Sequence, residues 1–378
     1  MKLVIGADLV PTKTNEDLFI KADATALIGE DLKALLLKAD YRIFNLEEPL
    51  TDEGKPIDKC GPSLKAPTAT VNGIKALNVN VFTLANNHIM DYGESGLKST
   101  CEILKNNDIL YFGAGKNVKD AAKPLILEKD GKRIGIIACV EHEFSAAGEN
   151  KTGANPFDPL ETPDQIKALK KDCDFVIVLY HGGKEFYRYP SPDLQKTCRK
   201  LVEKGANLVI TQHCHCIGCY ENYLKGTIVY GQGNFLFDDG ENEYVNSGLL
   251  ICVDENFKLD FIPFTKADSG VRLATGDERE SILNGFNTRS EEIKQDGFIE
   301  KSYAEFANSR IEHYLLWFNA KKRGFFFKVM NKLTKNKWQT FLLRKRYKKK
   351  ELLAIQNYIE CEAHRELLLQ GIKNRNAE

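Results

Sequence analysis

Short apolar runs alternate with longer mixed segments from the start of the chain to about residue 210. The runs are Leu3–Ile5, Tyr41–Phe44, Val79–Leu84, Arg133–Val140, Phe175–Tyr180 and Leu208–Ile210. Runs of this length and composition are typical of buried strands. The segments between them carry apolar residues at helical spacing, as in Asn15–Lys38, where Asn15 is a candidate N-cap. Alternation of this kind predicts a layered α/β architecture.

The pattern changes twice in the second half of the chain. Four apolar runs follow one another without a helical segment, which predicts consecutive strands of an antiparallel region. These runs are Thr227–Tyr230, Asn234–Phe237, Gly248–Val253 and Lys258–Phe264. From about Glu280 the chain becomes helical and charged. We therefore predict an α/β domain over residues 1–270 and a helical, basic C-terminal extension over residues 271–378.

The formal net charge of zero conceals an uneven distribution. Residues 321–350 hold thirteen Lys and Arg and no Asp or Glu, and residues 1–320 carry about −11. An acidic body with a basic tail predicts two surfaces with different partners. Because aromatic residues are interleaved with the lysines, the tail favours peripheral contact with an anionic membrane surface or a membrane biosynthesis complex. A charged helix packed on the body is the alternative, and nucleic acid is a weaker one, since no base-reading module is recognisable.

The cysteine content and the start of the sequence bear on localisation. Ten cysteines without a secretory signal favour a reducing compartment. Met1 is followed directly by a predicted strand, and no apolar run approaches the roughly 18–20 residues that span a bilayer. We therefore expect a cytoplasmic protein that can lie peripherally on the inner membrane face.

Five predicted strands end in side chains that bind metal ions. They are Asp8, Asn45 with Glu47, Asn86 to His88, His181, and His213 with His215. In an open α/β sheet, ligands bind at the carboxyl ends of the strands. A set of carboxylate, amide and imidazole groups without thiolate suits one or two divalent cations, such as Mn, Fe, Zn or Mg. Glu47 is long enough to bridge two cations, and His88 is placed to protonate a leaving oxygen.

These motifs resemble a known family when they are taken in order. They are Asp8, Asn45-Leu-Glu47, Ala85-Asn-Asn-His88, His181-Gly-Gly-Lys-Glu185, Gln212-His-Cys-His215 and Gly233-Asn-Phe235. The ordered set is similar to that of the CapA family, the bacterial capsule and poly-γ-glutamate biosynthesis proteins with a calcineurin-like metallophosphatase fold. The resemblance covers roughly residues 1–265. Each motif alone is weak, and the ordered set is specific.

The resemblance implies a four-layer α/β/β/α sandwich and a role for each motif residue. One ion would be held by Glu47, Asn87, His181 and His213, and another by Asp8, Glu47 and His215. His88 would be catalytic, and the substrate-binding candidates would be Asn45, Asn86, Lys184, Glu185 and Asn234. Val10 stands where the wider metallophosphatase pattern has histidine, and Glu47 where aspartate is usual. We therefore expect the ion site that contains Asp8 to be the weaker one.

The functional prediction is metal-dependent hydrolysis of a phosphate ester, or of an amide in a polymer, during capsule, poly-γ-glutamate or other cell-surface polymer biosynthesis. The partner would be an anionic polymer or a phosphorylated substrate. The alternative is a non-catalytic polymer-binding or membrane-complex assembly factor with a degraded metal site. The two hypotheses differ over His88, whose loss should abolish turnover only in a hydrolase.

Three further features are left open by the sequence. Cys214, Cys216 and Cys219 surround the histidine pair and could form a structural zinc site with it. His142 follows a predicted strand and could line a cleft or lie on the surface. The acidic run Asp238–Glu243 predicts a solvated loop over the cleft mouth.

Overall fold

A computed structural model describes residues 1–237, 242–318, 324–360 and 362–376. Contacts divide the chain into two compact units, Met1–Tyr303 and Ala304–Glu378. Most of the predicted acidic loop, residues 238–241, and the start of the basic run, residues 321–323, lie outside the described residues.

The strands of the described residues all lie in the first unit. They are β1 (Leu3–Leu9), β2 (Tyr41–Leu46), β3 (Val81–Thr83), β4 (Leu110–Phe112), β5 (Ala114–Gly115), β6 (Leu125–Lys129), β7 (Lys132–Val140), β8 (Gly153–Ala154), β9 (Phe175–His181), β10 (Leu208–Gln212), β11 (Ile217–Tyr223), β12 (Gly226–Gln232), β13 (Asn234–Leu236), β14 (Ser247–Val253), β15 (Leu259–Ala267) and β16 (Gly270–Leu273).

The helices occur in both units. They are α1 (Glu16–Ile20), α2 (Ala24–Leu37), α3 (Val71–Ala76), α4 (Gly93–Asn106), α5 (Val118–Ala121), α6 (Glu161–Asp172), α7 (Pro192–Glu203), α8 (Gly276–Glu292), α9 (Phe298–Phe318), α10 (Phe325–Leu333), α11 (Lys337–Arg346), α12 (Lys349–Glu360) and α13 (Glu362–Asn376). None of these described helices is long and apolar enough to cross a bilayer.

Two large sheets form the middle of the first unit. One has the strand order β16-β15-β14-β1-β2-β3-β4, with β13 also paired to β1, and the other has the order β11-β12-β10-β9-β7-β6. The central pairs of both sheets are parallel. Strands β14 and β15 are antiparallel as predicted, and β16, which was not predicted, pairs antiparallel with β15. The prediction was wrong for β13, which pairs in parallel with β1, and it holds only in part for β12, which is antiparallel to β11 and parallel to β10. For β12 the reason is its hairpin with β11, which returns it alongside β10.

Alternate residues of the central strands enter different cores. In β9, Ile177 packs in the core between the two sheets, whereas Val178 packs in the core that α6 and α7 cover. In β1, Ile5 faces the core between the sheets and Val4 the core that α2 covers. Strands that are apolar at consecutive positions therefore serve two cores at once. The predicted four-layer α/β/β/α sandwich is confirmed.

The predicted helix Asn15–Lys38 is broken at two positions, between α1 and α2 and at Gly29 inside α2, which has φ 69° and ψ 167°. Ala22 adopts a left-handed conformation with φ 58° and separates α1 from α2. The Asp23 side chain then caps α2 by accepting a hydrogen bond from the Ala26 backbone N–H at 2.9 Å. A left-handed alanine costs energy, and nothing in the local sequence announces it, so periodicity alone missed the break.

Helix α8 packs on β11 within the first unit. The Tyr220 backbone N–H donates to Ser290 Oγ at 2.8 Å, and Arg289 Nε donates to the Gly218 carbonyl at 2.7 Å. Phe286, between these contacts and the sheet core, is fully buried. The first compact unit thus continues to Tyr303, and the division of the family domain from the extension at residue 270 stays a prediction.

The core between the sheets should dominate the stability of the first unit. We expect Ile177→Ala to lower the free energy of unfolding by about 2–5 kcal/mol, because Ile177 is completely buried between two packed sheets. Ile126→Ala, on the exposed edge strand β6, is the matched control and should cost less than about 1 kcal/mol. Urea denaturation of both variants measures the difference, and equal losses would contradict this view of the core.

Candidate metal centre

The carboxyl ends of the central parallel strands of both sheets meet at one cluster of buried polar side chains. The register of β1 and β2 sets Asp8 beside Asn45. Asn45 Nδ2 donates to Asp8 Oδ1 at 2.8 Å and lies 3.2 Å from Nδ1 of His181, which ends β9 in the other sheet. The parallel strands therefore bring together donor groups that are far apart in the sequence.

One set of donor atoms is formed by Glu47, His181 and His213. Their ligand atoms lie within 4.8 Å of one another, and all three residues are buried. His181 Nε2 is 3.2 Å from Glu47 Oε1 and 3.0 Å from Asn87 Oδ1. The structure thus places Asn87 beside this set, as the resemblance implied.

A second set is formed by Asp8, Glu47 and His215, also buried and within the same 4.8 Å limit. His215 Nδ1 is 2.8 Å from Asn234 Oδ1 and 3.7 Å from Asp8 Oδ2. Glu47 belongs to both sets. All six predicted metal ligands are brought together, and their assignment as ligands stays a prediction.

The donor atoms themselves show whether a cation fits. Among the described residues, Asp8 Oδ2, both carboxylate oxygens of Glu47 and His213 Nδ1 are buried and have no hydrogen-bonding partner. Burying carboxylate oxygens without partners is costly, and a bound cation would remove that cost. Carboxylate and imidazole groups are ligands of divalent cations, so the residues present fit such an ion.

The structural zinc alternative finds no support in the described part of the chain. Cys214, Cys216 and Cys219 are buried, yet none belongs to a group of residues with metal-binding geometry. His142, the other open case, is exposed. The metal-binding geometry at this edge is therefore made by oxygen and nitrogen donors.

Burial sets the protonation states of the cluster. It raises the pKa of Asp8 to about 7, with the charge of Glu47 contributing, and it raises the pKa of Glu47 as well. Burial lowers the pKa of His181 to about 4 and that of His213 well below its usual range. Burial would also lower the pKa of His215, but the carboxylates of Glu47 and Asp8 outweigh it and raise that pKa to about 9. His181 and His213 are thus neutral near pH 7, the state in which imidazole binds metal.

The backbone is strained where the histidines are presented. His213 and His215 have φ values of 82° and 54°, and Phe186, opposite them, has 58°. The Phe186 backbone N–H donates to the Cys214 carbonyl at 2.8 Å and joins the two loops. Left-handed backbone at such residues costs about 1–3 kcal/mol each, and residues held this way concentrate at functional sites.

His88 lies at the cluster with two partners that the sequence analysis missed. His88 Nδ1 is 2.6 Å from Oδ2 of the buried Asp91. The Lys59 ammonium lies 3.2 Å from the same nitrogen and also contacts Asp91. Asp91 follows His88 by three residues, a spacing that could have suggested the pair. Lys59 comes from a polar loop and carries no such signal.

Two of the predicted substrate-binding residues, Asn45 and Asn86, use their side chains in hydrogen bonds within the protein. Asn86 Nδ2 donates to Asn45 Oδ1 and to the Leu46 carbonyl, at 2.9 and 2.7 Å. Asn86 Oδ1 accepts from the backbone N–H groups of His88 and Ile89, at 3.1 and 2.8 Å. Asn86 has no hydrogen-bonding position left, so we interpret it as a holder of the His88 loop.

The remaining substrate-binding candidates are Lys184, Glu185 and Asn234. We call the rim of the cluster, formed by Lys184 to Phe186 and Phe237, the mouth of the site. Lys184 is exposed and Glu185 half-buried, while Asn234 is buried and uses its carbonyl oxygen on His215. Aromatic rings surround His215, with Phe186 at 5.9 Å and Phe237 at 5.3 Å between ring centroids. The mouth thus combines an aromatic wall with polar side chains. Substrate contact by these residues stays a prediction.

Comparison with known proteins decides the family. Residues 4–239 match the model of the family described as bacterial capsule synthesis protein PGA_cap. The chain belongs to this family. It is 32% identical over 235 residues to the capsule biosynthesis protein CapA of Bacillus anthracis, covering 60% of this chain and 57% of that protein. It is also 32% identical over 228 residues to the PGA biosynthesis protein CapA of Bacillus subtilis, covering 59% and 60%.

The predicted resemblance to the CapA family is confirmed by these matches. The chain spans less than two thirds of the length of these curated relatives. Among solved structures, it is similar to a phosphatase from Mycoplasma pneumoniae, with a TM-score of 0.45 and 18% identity over 71% of this chain and 94% of that one. It is also similar to the NAD nucleotidase of Haemophilus influenzae, with a TM-score of 0.38, 18% identity, and 82% and 67% coverage. Likenesses of this strength carry no functional argument.

Because Glu47 belongs to both donor sets, replacing it tests the proposed metal centre. Glu47→Gln should remove bound divalent metal from both sets at once, because its carboxylate belongs to each. Asp8→Asn should remove only the ion of its own set. Elemental analysis of protein reconstituted with Mn²⁺ or Zn²⁺ measures both outcomes, with His142→Ala as the exposed control. Full metal content in Glu47→Gln would contradict the proposed ligand sets.

Proposed function

We propose that this chain is a metal-dependent hydrolase that cleaves a phosphate ester, or an amide bond of a polymer, in cell-surface polymer biosynthesis. The observation that carries the proposal is the group of unpartnered buried donor atoms on Asp8, Glu47 and His213 beside the His88–Asp91 pair. A donor set that fits a cation and an imidazole held by a carboxylate are the two parts of a metal-assisted hydrolytic site.

The His88 imidazole would transfer the proton. Asp91 Oδ2, 2.6 Å away, holds the proton on Nδ1, which leaves Nε2 for a proton given to or taken from the substrate. Lys59 contacts the Asp91 carboxylate and balances its buried charge. A divalent cation bound to the donor sets would supply positive charge that activates water and stabilises charge developing on the substrate. His88 then serves as general acid and Asp91 as its positioning residue.

The mouth favours an anionic substrate. Lys184 is exposed there, and the Arg188 guanidinium stacks over the Tyr244 ring at 4.7 Å. The relatives named above are capsule and PGA biosynthesis proteins. An anionic polymer or a phosphorylated precursor of one is therefore the substrate class that we propose.

A polymer-binding or assembly factor is the second candidate. Val10 is buried directly after the Asp8 strand and offers no ligand where an imidazole would strengthen the centre. The aromatic wall and cations of the mouth would serve binding as well as catalysis. A protein of this kind would hold metal and polymer without turnover.

His88→Ala separates the two candidates. In a hydrolase it should lower turnover of p-nitrophenyl phosphate or bis-p-nitrophenyl phosphate by about 10²–10⁴-fold, the usual contribution of a general acid. Its metal content should stay at the wild-type level, since His88 lies outside both donor sets. His142→Ala is the control and should keep full activity. A metal-loaded wild type that cleaves neither these esters nor poly-γ-glutamate would contradict the hydrolase proposal and support the binding factor.

We also propose that the second unit contacts an anionic membrane surface. In α10, Phe325 and Phe326 are 85% and 69% exposed, and Leu333 is 73% exposed. Residues 324–350 contain ten Lys and Arg and no acidic residue. Exposed aromatic side chains among basic ones are typical of helices that lie in a bilayer interface.

Replacing Phe325 and Phe326 together by serine should weaken binding to vesicles that contain phosphatidylglycerol by about tenfold or more, because two apolar rings no longer enter the interface. Vesicle co-sedimentation measures the effect, and salt should weaken wild-type binding too. Phe144→Ser, an exposed phenylalanine of the first unit, is the control. Equal binding to purely zwitterionic vesicles, or none to either kind, would contradict the proposal.

A further inference from the structure

The carboxylate of Glu185 lies close enough to His213 and His215 to bind a metal ion together with them. Ligand atoms of Glu185, His213 and His215 are within 4.8 Å of one another. His213 belongs to one of the two donor sets described above and His215 to the other. Glu185 is half-buried, whereas Glu47 is completely buried. The two glutamates therefore approach the same histidines from different depths.

The chain between β9 and α7 holds Glu185 in this place. Gly183, with φ 110°, allows the turn that follows His181. The left-handed Phe186 comes directly after Glu185, and its backbone N–H donates to the Cys214 carbonyl between the two histidines, at 2.8 Å. The segment that carries Glu185 is thus tied to the loop that carries His213 and His215. This tie fixes the position of the Glu185 backbone relative to the two histidines.

The charge of Glu185 is only weakly compensated by its neighbours, which favours a cation at the centre. The ion-pair distance to Lys184 is 3.8 Å, and both side chains are about 40% exposed, so this pair compensates Glu185 weakly. Glu185 therefore adds negative charge to a cluster that already buries two carboxylates. A cation bound among them would relieve this repulsion.

We propose that Glu185 is a metal ligand on the solvent side of the centre, and the one that a substrate oxygen displaces. This inference rests on the proposed function only for the presence of a divalent cation. It replaces the expected role of Glu185 as a substrate contact. A ligand that is half-exposed can leave and return without opening the buried core, which the fully buried Asp8 and Glu47 cannot do.

Metal titration tests the proposal without any measurement of activity. Calorimetry with Mn²⁺ and visible absorption with Co²⁺ would be compared for the wild type, Glu185→Gln, Glu185→Asp, Lys184→Ala and Glu143→Gln. Loss of the carboxylate should weaken metal affinity by about 10–100-fold and change the Co²⁺ spectrum. Glu185→Asp keeps the charge on a shorter side chain and should alter the Co²⁺ spectrum with a smaller loss of affinity. Lys184→Ala should bind metal at least as tightly as the wild type.

The controls separate coordination from general electrostatics. Glu143 is an exposed carboxylate near the same edge, and Glu143→Gln removes one negative charge without touching the three donor groups. An equal loss of affinity in Glu143→Gln and Glu185→Gln would overturn the proposal, as would wild-type affinity and spectrum in Glu185→Gln. A wild type that binds neither Mn²⁺ nor Co²⁺ would overturn the metal-dependent function itself. Thermal unfolding in EDTA verifies that each variant is folded.

Discussion

The burial of Asp8 and Glu47 is the constraint on which the site depends. Both carboxylates are completely buried, and three of their four oxygens find no hydrogen-bonding partner among the described residues. Burial raises the pKa of both carboxyl groups, and the neighbouring imidazoles of His181 and His213 are neutral at pH 7. The His215 imidazole, whose pKa these carboxylates raise to about 9, compensates part of their charge, and a bound divalent cation would compensate it more fully.

Two layers of structure keep this arrangement in place. The two sheets share an apolar core, which holds the ends of their strands at a fixed spacing. Above them, Asn45 and Asn86 link Asp8, His181 and the His88 loop through hydrogen bonds. The donor atoms therefore depend on a rigid apolar scaffold for their spacing and on two amides for their orientation.

The gathering of polar residues could be predicted because parallel strands bring the residues at their carboxyl ends to one edge. The alternation of strands and helices predicted a layered α/β architecture, whereas the four-layer arrangement was implied by the family resemblance. The partners of His88 could not be predicted in this way. Lys59 reaches His88 from a loop whose path depends on tertiary contacts, including the hydrogen bond from the Leu64 N–H to Asp91 at 2.7 Å. The left-handed Ala22 was also missed, because its side chain is exposed and the turn is closed by backbone hydrogen bonds, including that from the Asp23 N–H to the Leu18 carbonyl at 2.9 Å.

The membership of Glu47 in both donor sets bears on how such a centre can decay in evolution. If the two donor sets hold ions as proposed, a lineage that loses Glu47 would lose both ion positions in one step. A lineage that loses Asp8 or His215 would keep the other set and become a protein with one ion rather than none. Relatives of this chain can therefore be ordered by which of these residues they retain. Under this proposal, relatives that lack a carboxylate at the position of Glu47 would be those that have given up metal altogether.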